Sequence, residues 1–415
     1  MNKLGRIVPL WRIFVLSIVT ILWITNLLNP HMRLVMQNMV ISNFPFLDLY
    51  CILAAVERHR LGFNPYLDGL FDPMGRSHAY GPWWFILTPL GIGVKDNIWL
   101  GTITSSLAIF VPLFLIKKWN IKSIFIFICT CFSPPIMLGL TRGNNDVWIL
   151  LLLVLSSYLI TKKYYLLASG INIAGFGLKF YPLLVAFYPL TFIERRLLRY
   201  LTLLLIIIGA LLLWTTWSAI MPKMGDVMAA PTGPWTFGGP GLFRELLIGE
   251  TLSRKLSLGL GILIVLLTSW NLINKDRMEN IPAEEINNIR YHLFIQSTVI
   301  LLATFVLREN YSYRLIFTLG MLPWLLDLYK NNAHRDTITV WLISCLLSLW
   351  GEWIFFTATN SLRLLNFYSA EEFLILQQKF LLGKEFFYWV FYSLTVYLFC
   401  KISFWKGIFK SWIKE

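Results

Sequence analysis

Of the 415 residues, 57% are hydrophobic and only 14% are charged, and the formal net charge is +14. A water-soluble domain carries about a quarter charged residues, whereas repeated apolar blocks of about 20 residues match the thickness of a bilayer. The composition therefore excludes a soluble globular enzyme and predicts an all-α, polytopic membrane protein, in which the excess of Lys and Arg bears on orientation rather than on nucleic acid.

The first apolar block covers about 7–28. No small-residue cleavage site follows it and Asn29-Pro30-His31 reads as an exit from the membrane, so it is a span and not a signal peptide. The loop 29–97 comes next. Between Asn43 and Trp84 it concentrates Asp48, Glu57, His59, Arg60, Asp68, Asp72, Arg76, His78 and Tyr80. Asp48 precedes an amphipathic stretch, Leu49 to Arg60, with Leu49, Ile52, Leu53 and Val56 on one face. This predicts a juxtamembrane helix along the outer surface, whose N-terminal dipole by itself accounts for a carboxylate there. Glu57, Arg58, Arg60, Asp68 and Asp72 read as a solvated face. Residues 81–94, broken by Pro82 and Pro89, are too short for a crossing and read as a re-entrant or interfacial segment.

Further apolar segments fall at about 98–116, 121–140, 146–161, 164–177, 180–193, 198–220, 255–273, 291–307, 312–329, 335–356 and 386–405. With the first span this predicts about twelve transmembrane helices and both termini in the cytoplasm. On that arrangement 20 of the 36 Lys and Arg but only 8 of the 22 Asp and Glu lie inside, the asymmetry of the positive-inside rule. Counting 81–94 as a crossing would turn Lys117-Lys118 and Lys162-Lys163 outward.

The blocks 164–177 and 180–193 are each roughly 21 Å long as helices, short of a full crossing. The turn between them, Gly177 to Pro182, then lies below the surface, where irregular backbone is tolerated only if it lines a cavity or is buried in protein. The same holds for the turn Thr141 to Asp146, in which Arg142 and Asp146 are placed to pair. Lys179 either snorkels to the interface or serves a site. Residues 231–241, rich in Gly and Pro, form no dinucleotide fingerprint and read as an external loop. The five cysteines offer no external disulfide pair, and His59 and His78 show no metal-ligand spacing. The chain reads as one integral membrane domain, 1–415. Within it, 1–193 forms a module with the loop 29–97, and 194–415 forms C-terminal helices with external loops 221–254 and 357–385.

On the outer side this brings together Asp48, His78 to Tyr80, Arg142 to Asp146, Lys179, Tyr181, Arg308, Glu309, Tyr311 and Arg314. Charged groups at membrane level usually face a wet cavity and carry function. In this order the residues resemble the GT-C glycosyltransferases that use polyprenyl-phosphate sugars, most of all glycosyltransferase family 87, the bacterial mannosyltransferase-like group. The resemblance rests on Asp48-Leu49-Tyr50 followed by Gly62-Phe63-Asn64-Pro65-Tyr66, on Tyr80-Gly81-Pro82, on Gly143-Asn144-Asn145, and on Gly175 to Pro182. It covers about the first 190 residues.

The resemblance implies a hexosyltransferase that inverts the anomeric centre. The sugar, mannose-like or related, moves from polyprenyl phosphate to a lipid-linked or cell-envelope glycan on the outer face of the plasma (inner) membrane. It implies Asp48 as catalytic base, with Lys179, Arg142, Arg314 and His78 binding the donor phosphate and Tyr80, Asn144 and Tyr181 orienting the substrate. The lipid-linked sugar is a substrate, so no cofactor is implied, and protein cations can stabilise the phosphate without a metal. The alternative is a polytopic transporter or lipid-linked glycan flippase; such proteins favour midplane charges and paired halves, neither of which is evident in the sequence.

Overall fold

The computed structural model describes residues 10–29, 31, 45–67, 69–117, 119–224, 236–246, 249–274, 287–307, 310–329, 335–364 and 370–402. Arg308, Glu309, Asp68 and 231–235 lie outside the described residues. The chain is an all-α bundle. Its helices are α1 (Leu10–Leu28), α2 (Leu47–Arg60), α3 (Asn97–Leu115), α4 (Ile121–Cys131), α5 (Pro134–Arg142), α6 (Asn145–Thr161), α7 (Tyr165–Leu178), α8 (Leu183–Ala186) and α9 (Arg196–Met224). There follow α10 (Pro240–Glu245), α11 (Glu250–Asn274), α12 (Ile289–Leu307), α13 (Phe317–Leu328), α14 (Arg335–Leu364) and α15 (Ala370–Ile402). The one strand pairing among the described residues is two residues long: β1 (Thr236–Phe237) lies antiparallel to β2 (Asn310–Tyr311).

Among the described residues six helices are long and apolar enough to cross a membrane: Trp11–Leu28, Val94–Leu115, Arg196–Trp214, Glu250–Ile273, Ile289–Leu307 and Arg335–Ser361. The pair α4–α5, bent by 60°, makes a seventh if it is one span. Its bend follows from Pro134 and Pro135, which cannot donate to the α4 carbonyls; the Ser133 hydroxyl bonds the Thr130 carbonyl instead. Helix α12 is the hub. In its apolar window 78% of residues are buried, against 17% for α1, α9 and α11, which present Leu and Ile outward.

Helix α7 is short because Pro182 stops its continuation, and the chain runs on through one turn of α8 and a 3-10 turn, Tyr188–Phe192. The carbonyls this break frees are answered by side chains. Asn172 donates to the Val185 carbonyl (2.9 Å) and Ser169 to that of Ala186 (3.0 Å). Asn172 also donates to Gln296 of α12 (3.0 Å), which accepts from Ser156 (3.1 Å) and donates to Ser157 (2.8 Å), both on α6. This clasp meets the rule that buried polar groups find partners.

One expectation changes. Helix α2 is enclosed, not amphipathic: ten of its fourteen residues are buried, because the end of α5 and the start of α3 close over it. The Phe46 amide donates to the Thr141 carbonyl (2.9 Å) and Asn97 to the Pro45 carbonyl (2.8 Å). Segment 81–94, read as too short for a crossing, holds a 3-10 turn, Pro82–Leu87, packed on α2 and α7. There the Gly81 amide donates to the Leu178 carbonyl (2.9 Å), and a Cβ on Gly81 would lie 1.9 Å from the Gly177 carbonyl oxygen. Gly81→Ala is expected to destabilise the fold by about 1–3 kcal/mol, read as a lower midpoint of thermal unfolding. It should also move Tyr80, its neighbour.

Candidate functional site

The turns that break these helices deliver the site. Helix α5 ends at Gly143, held at φ 60°, where only glycine is unstrained; this aims Arg142 back at α2. Asn144 then caps α6, accepting from the Asp146 amide (3.0 Å) through Oδ1 and donating to Asp48 Oδ2 (2.8 Å) through Nδ2. One amide side chain thus spaces two buried carboxylates.

Asp48 is 5% exposed and fully engaged. Oδ1 accepts from Arg142 Nη2 (2.6 Å) and Arg76 Nη1 (3.4 Å), and Oδ2 accepts from Arg142 Nε (3.1 Å) and Asn144. Burial alone would raise its pKa, but Arg142, then Arg76 and Asn144, hold the carboxyl below its ordinary 3.8. Asp48 is therefore ionised throughout the physiological range.

Asp146 forms the second centre. Its Oδ1 accepts from Lys179 Nζ (2.6 Å) and the Tyr181 hydroxyl, while Oδ2 is buried without a hydrogen-bond partner. Lys179 Nζ lies 5.3–5.9 Å from the ring centroids of Tyr80, Tyr181 and Tyr313. Arg314, 1% exposed, stacks on Tyr181 at 5.3 Å and donates to the Thr304 carbonyl (3.3 Å). Its Nε is unpartnered, and no carboxylate pairs with it among the described residues. The cluster opens to the surface along Arg76 and Arg142, whose side chains are 27% and 29% exposed.

The structure gathers all eight sequence-derived residues around α2, the α5–α6 turn and the α7–α8 break, and it alters several roles. Arg142 and Asp146 do not pair; they bind Asp48 and Lys179 respectively. Asn144 and Tyr181 direct their polar atoms at Asp48 and Asp146, so they position carboxylates. His78 does not fit a phosphate-binding role: it is 1% exposed, packed among Tyr66, Tyr80 and Phe85, and burial pushes its imidazole down to about 3. A neutral ring brings no charge to an anion.

That neutrality has a thermodynamic sign. The unfolded chain takes up the His78 proton near 6.5 and the folded one only near 3, so stability is full above about pH 6.5 and falls as pH drops toward 3. Denaturation midpoints at pH 7 and pH 4.5 are expected to differ less in His78→Phe than in the parent.

Arg58, Asp72 and Arg76, read in the sequence as solvated or as scaffold, belong to the site. Asp72 accepts from the Met74 and Arg76 amides and from Arg76 Nε and Nη2 (2.8–3.2 Å), fixing Arg76 on Asp48 and on the Leu47 carbonyl. Arg58 is fully buried and donates to the Arg76 carbonyl (3.4 Å). The available signal was Asp72-Pro73-Met74-Gly75-Arg76, a side-chain-capped turn with Gly75 at φ 65°.

Among the described residues no three His, Cys, Asp or Glu side chains are grouped to hold a metal ion. Comparison with family models, curated proteins and solved structures finds no match to this chain.

Proposed function

We propose that this protein is a membrane hexosyltransferase of GT-C type, which moves a mannose-like sugar from polyprenyl phosphate to a lipid-linked or cell-envelope glycan. In this reading the shorter apolar helices complete about twelve crossings of the plasma membrane, both termini are cytoplasmic and the site faces outward. One observation carries the proposal. Around Asp48 and Asp146, the described cations Arg76, Arg142, Lys179 and Arg314 outnumber the carboxylates Asp48, Asp72 and Asp146 by four to three. A positive excess among the described residues of a largely buried site is costly by itself and suits an anionic ligand such as a lipid phosphate.

The chemistry is set by the pairing. The acceptor oxygen attacks the anomeric carbon, the bond from that carbon to the phosphate oxygen breaks, and the polyprenyl phosphate leaves with the electron pair. The acceptor proton passes to Asp48. At rest both Asp48 oxygens are saturated, so the base works only once a partner is drawn away. A donor phosphate competing for Arg142 and Arg76 does this, coupling donor binding to release of the base, while Lys179 and Arg314 stabilise the charge on the leaving group.

The test is a panel of polyprenyl-phosphate sugars offered to the purified protein, with product analysis. Transfer from at least one, with inversion, is expected; hydrolysis and transfer both absent across the panel would end the proposal.

A specific observation favours the transporter or flippase alternative. Glu352, Lys384 and Glu385 are buried between α14 and α15, and Glu352 Oε1 and Glu385 Oε2 lack hydrogen-bond partners. Buried ionisable groups in such helices often mark ion or substrate paths. Proteoliposomes that move a lipid-linked glycan across the bilayer without changing it chemically would establish that reading instead.

A further inference from the structure

At the far ends of α4–α5 and α13 from the candidate site lies a cleft of about 600 Å³, within the range of small-ligand sites. It is bounded by the start of α4, the end of α13 and the start of α14. Its deep walls are apolar, from Ile126 and Leu326, and its mouth carries Lys122 and Arg335. Both cations are exposed, and neither has a carboxylate partner among the described residues. The acidic residue of α13, Asp327, is already paired with Arg290, and Asp336, beside Arg335, does not line the cleft. Arg335 lies over the Tyr329 ring at 5.7 Å, which holds the guanidinium at the rim.

Helix α4 adds to the field. Asn120 caps it by accepting from the Ser123 amide (2.8 Å), leaving the Ile121 and Lys122 amides at the positive end of an eleven-residue helix. Ile121, 89% exposed, stands beside them as an apolar side chain in the open. The cleft thus joins two cations without carboxylate partners and free amides at its mouth to hydrocarbon walls below.

We propose that this cleft binds an anionic glycerophospholipid, its phosphate headgroup between Lys122, Arg335 and the α4 N-terminus and the upper acyl carbons against Ile126 and Leu326. A soluble phosphate would leave the apolar walls wet, and a neutral lipid would leave the two cations unanswered; an anionic lipid satisfies both. The site is independent of the catalytic proposal. It rests on the opposite ends of the two elements that carry Arg142 and lead from Arg314, so an occupant ties α4 to α13 and α14.

The experiment uses the full chain in nanodiscs of phosphatidylcholine with increasing phosphatidylglycerol, with bound lipid counted by native mass spectrometry. The parent is expected to retain phosphatidylglycerol selectively. Lys122→Gln and Arg335→Gln should each weaken retention about fivefold and together about 30-fold. Lys162→Gln, a surface cation outside the cleft, should leave it unchanged. Equal retention of phosphatidylcholine, an unaffected double variant, or an equal loss in Lys162→Gln would overturn the proposal. So would displacement of the lipid by inorganic phosphate alone, which would make the cleft a soluble-anion site.

Discussion

Asp48→Asn is expected to lower sugar transfer by roughly 10²–10⁴-fold, the usual worth of a positioned base. The substitution also removes the anion that Arg142 and Arg76 share, and breaking a buried pair costs about 3–5 kcal/mol. The cost here is smaller, because both side chains are partly exposed. Two comparisons separate chemistry from folding. In Asp48→Asn with Arg142→Gln the orphaned cation is gone, so thermal stability should recover while transfer stays lost. Asp146→Asn is the sharper control, since Asp146 Oδ2 is the carboxylate oxygen left open in the resting site. Near-normal transfer by Asp48→Asn, with none by Asp146→Asn, would reassign the base. The pH profile adds a sign. Because Asp48 is held below its ordinary 3.8 in the unliganded protein, kcat/KM, which reports the free enzyme, should persist as the medium is acidified and fall only when pH passes below that value.

Arg314→Met is expected to separate stability from binding. Arg314 is buried beside Lys179 with no carboxylate paired to it among the described residues, a desolvation cost that a ligand anion would relieve. Met keeps the stem packed on Tyr181 and removes the charge, losing one bond to the Thr304 carbonyl worth about 1 kcal/mol. The unliganded variant should therefore unfold at the parent temperature or above it. Its affinity for a polyprenyl-phosphate sugar should fall about 10- to 150-fold, equivalent to losing a charge-assisted hydrogen bond of about 1.5–3 kcal/mol. Parallel ligand titrations by thermal shift check both halves. A variant that unfolds early yet binds the donor normally would mark Arg314 as structural.

Much of the helical layout was legible because apolar runs near bilayer length carry their own signal. The short helix before Pro182 was visible as an interruption, whereas the break at Pro134-Pro135 fell inside the block 121–140, which reads as one segment. The enclosure of α2 was not, since Asp48, Glu57 and Arg58 make its periodicity look half-solvated; only tertiary partners 18–96 residues away neutralise them. Position identified Asp48, Arg142, Asn144, Lys179 and Tyr181 as a group, but not who pairs with whom. Arg142 and Asp146 are four apart and of opposite charge, and local spacing favours their pairing. Gly143 at positive φ turns the chain between them, so the two side chains diverge to different partners. The structural role of Arg76 was hidden because a charged turn in a loop looks the same whether solvent or a carboxylate receives it.

The Gln296 clasp has a consequence for how the protein is made. Ser156, Ser157 and Asn172 are synthesised well before their partner, which for Asn172 lies 124 residues downstream. At about 5–20 residues per second, the gap is roughly 6–25 s. During that time the α6–α7 hairpin holds polar groups that hydrocarbon cannot satisfy. The N-terminal helices therefore emerge as an open joint that α12 must close, and a chain stopped before residue 289 lacks the Gln296 that satisfies Ser156, Ser157 and Asn172.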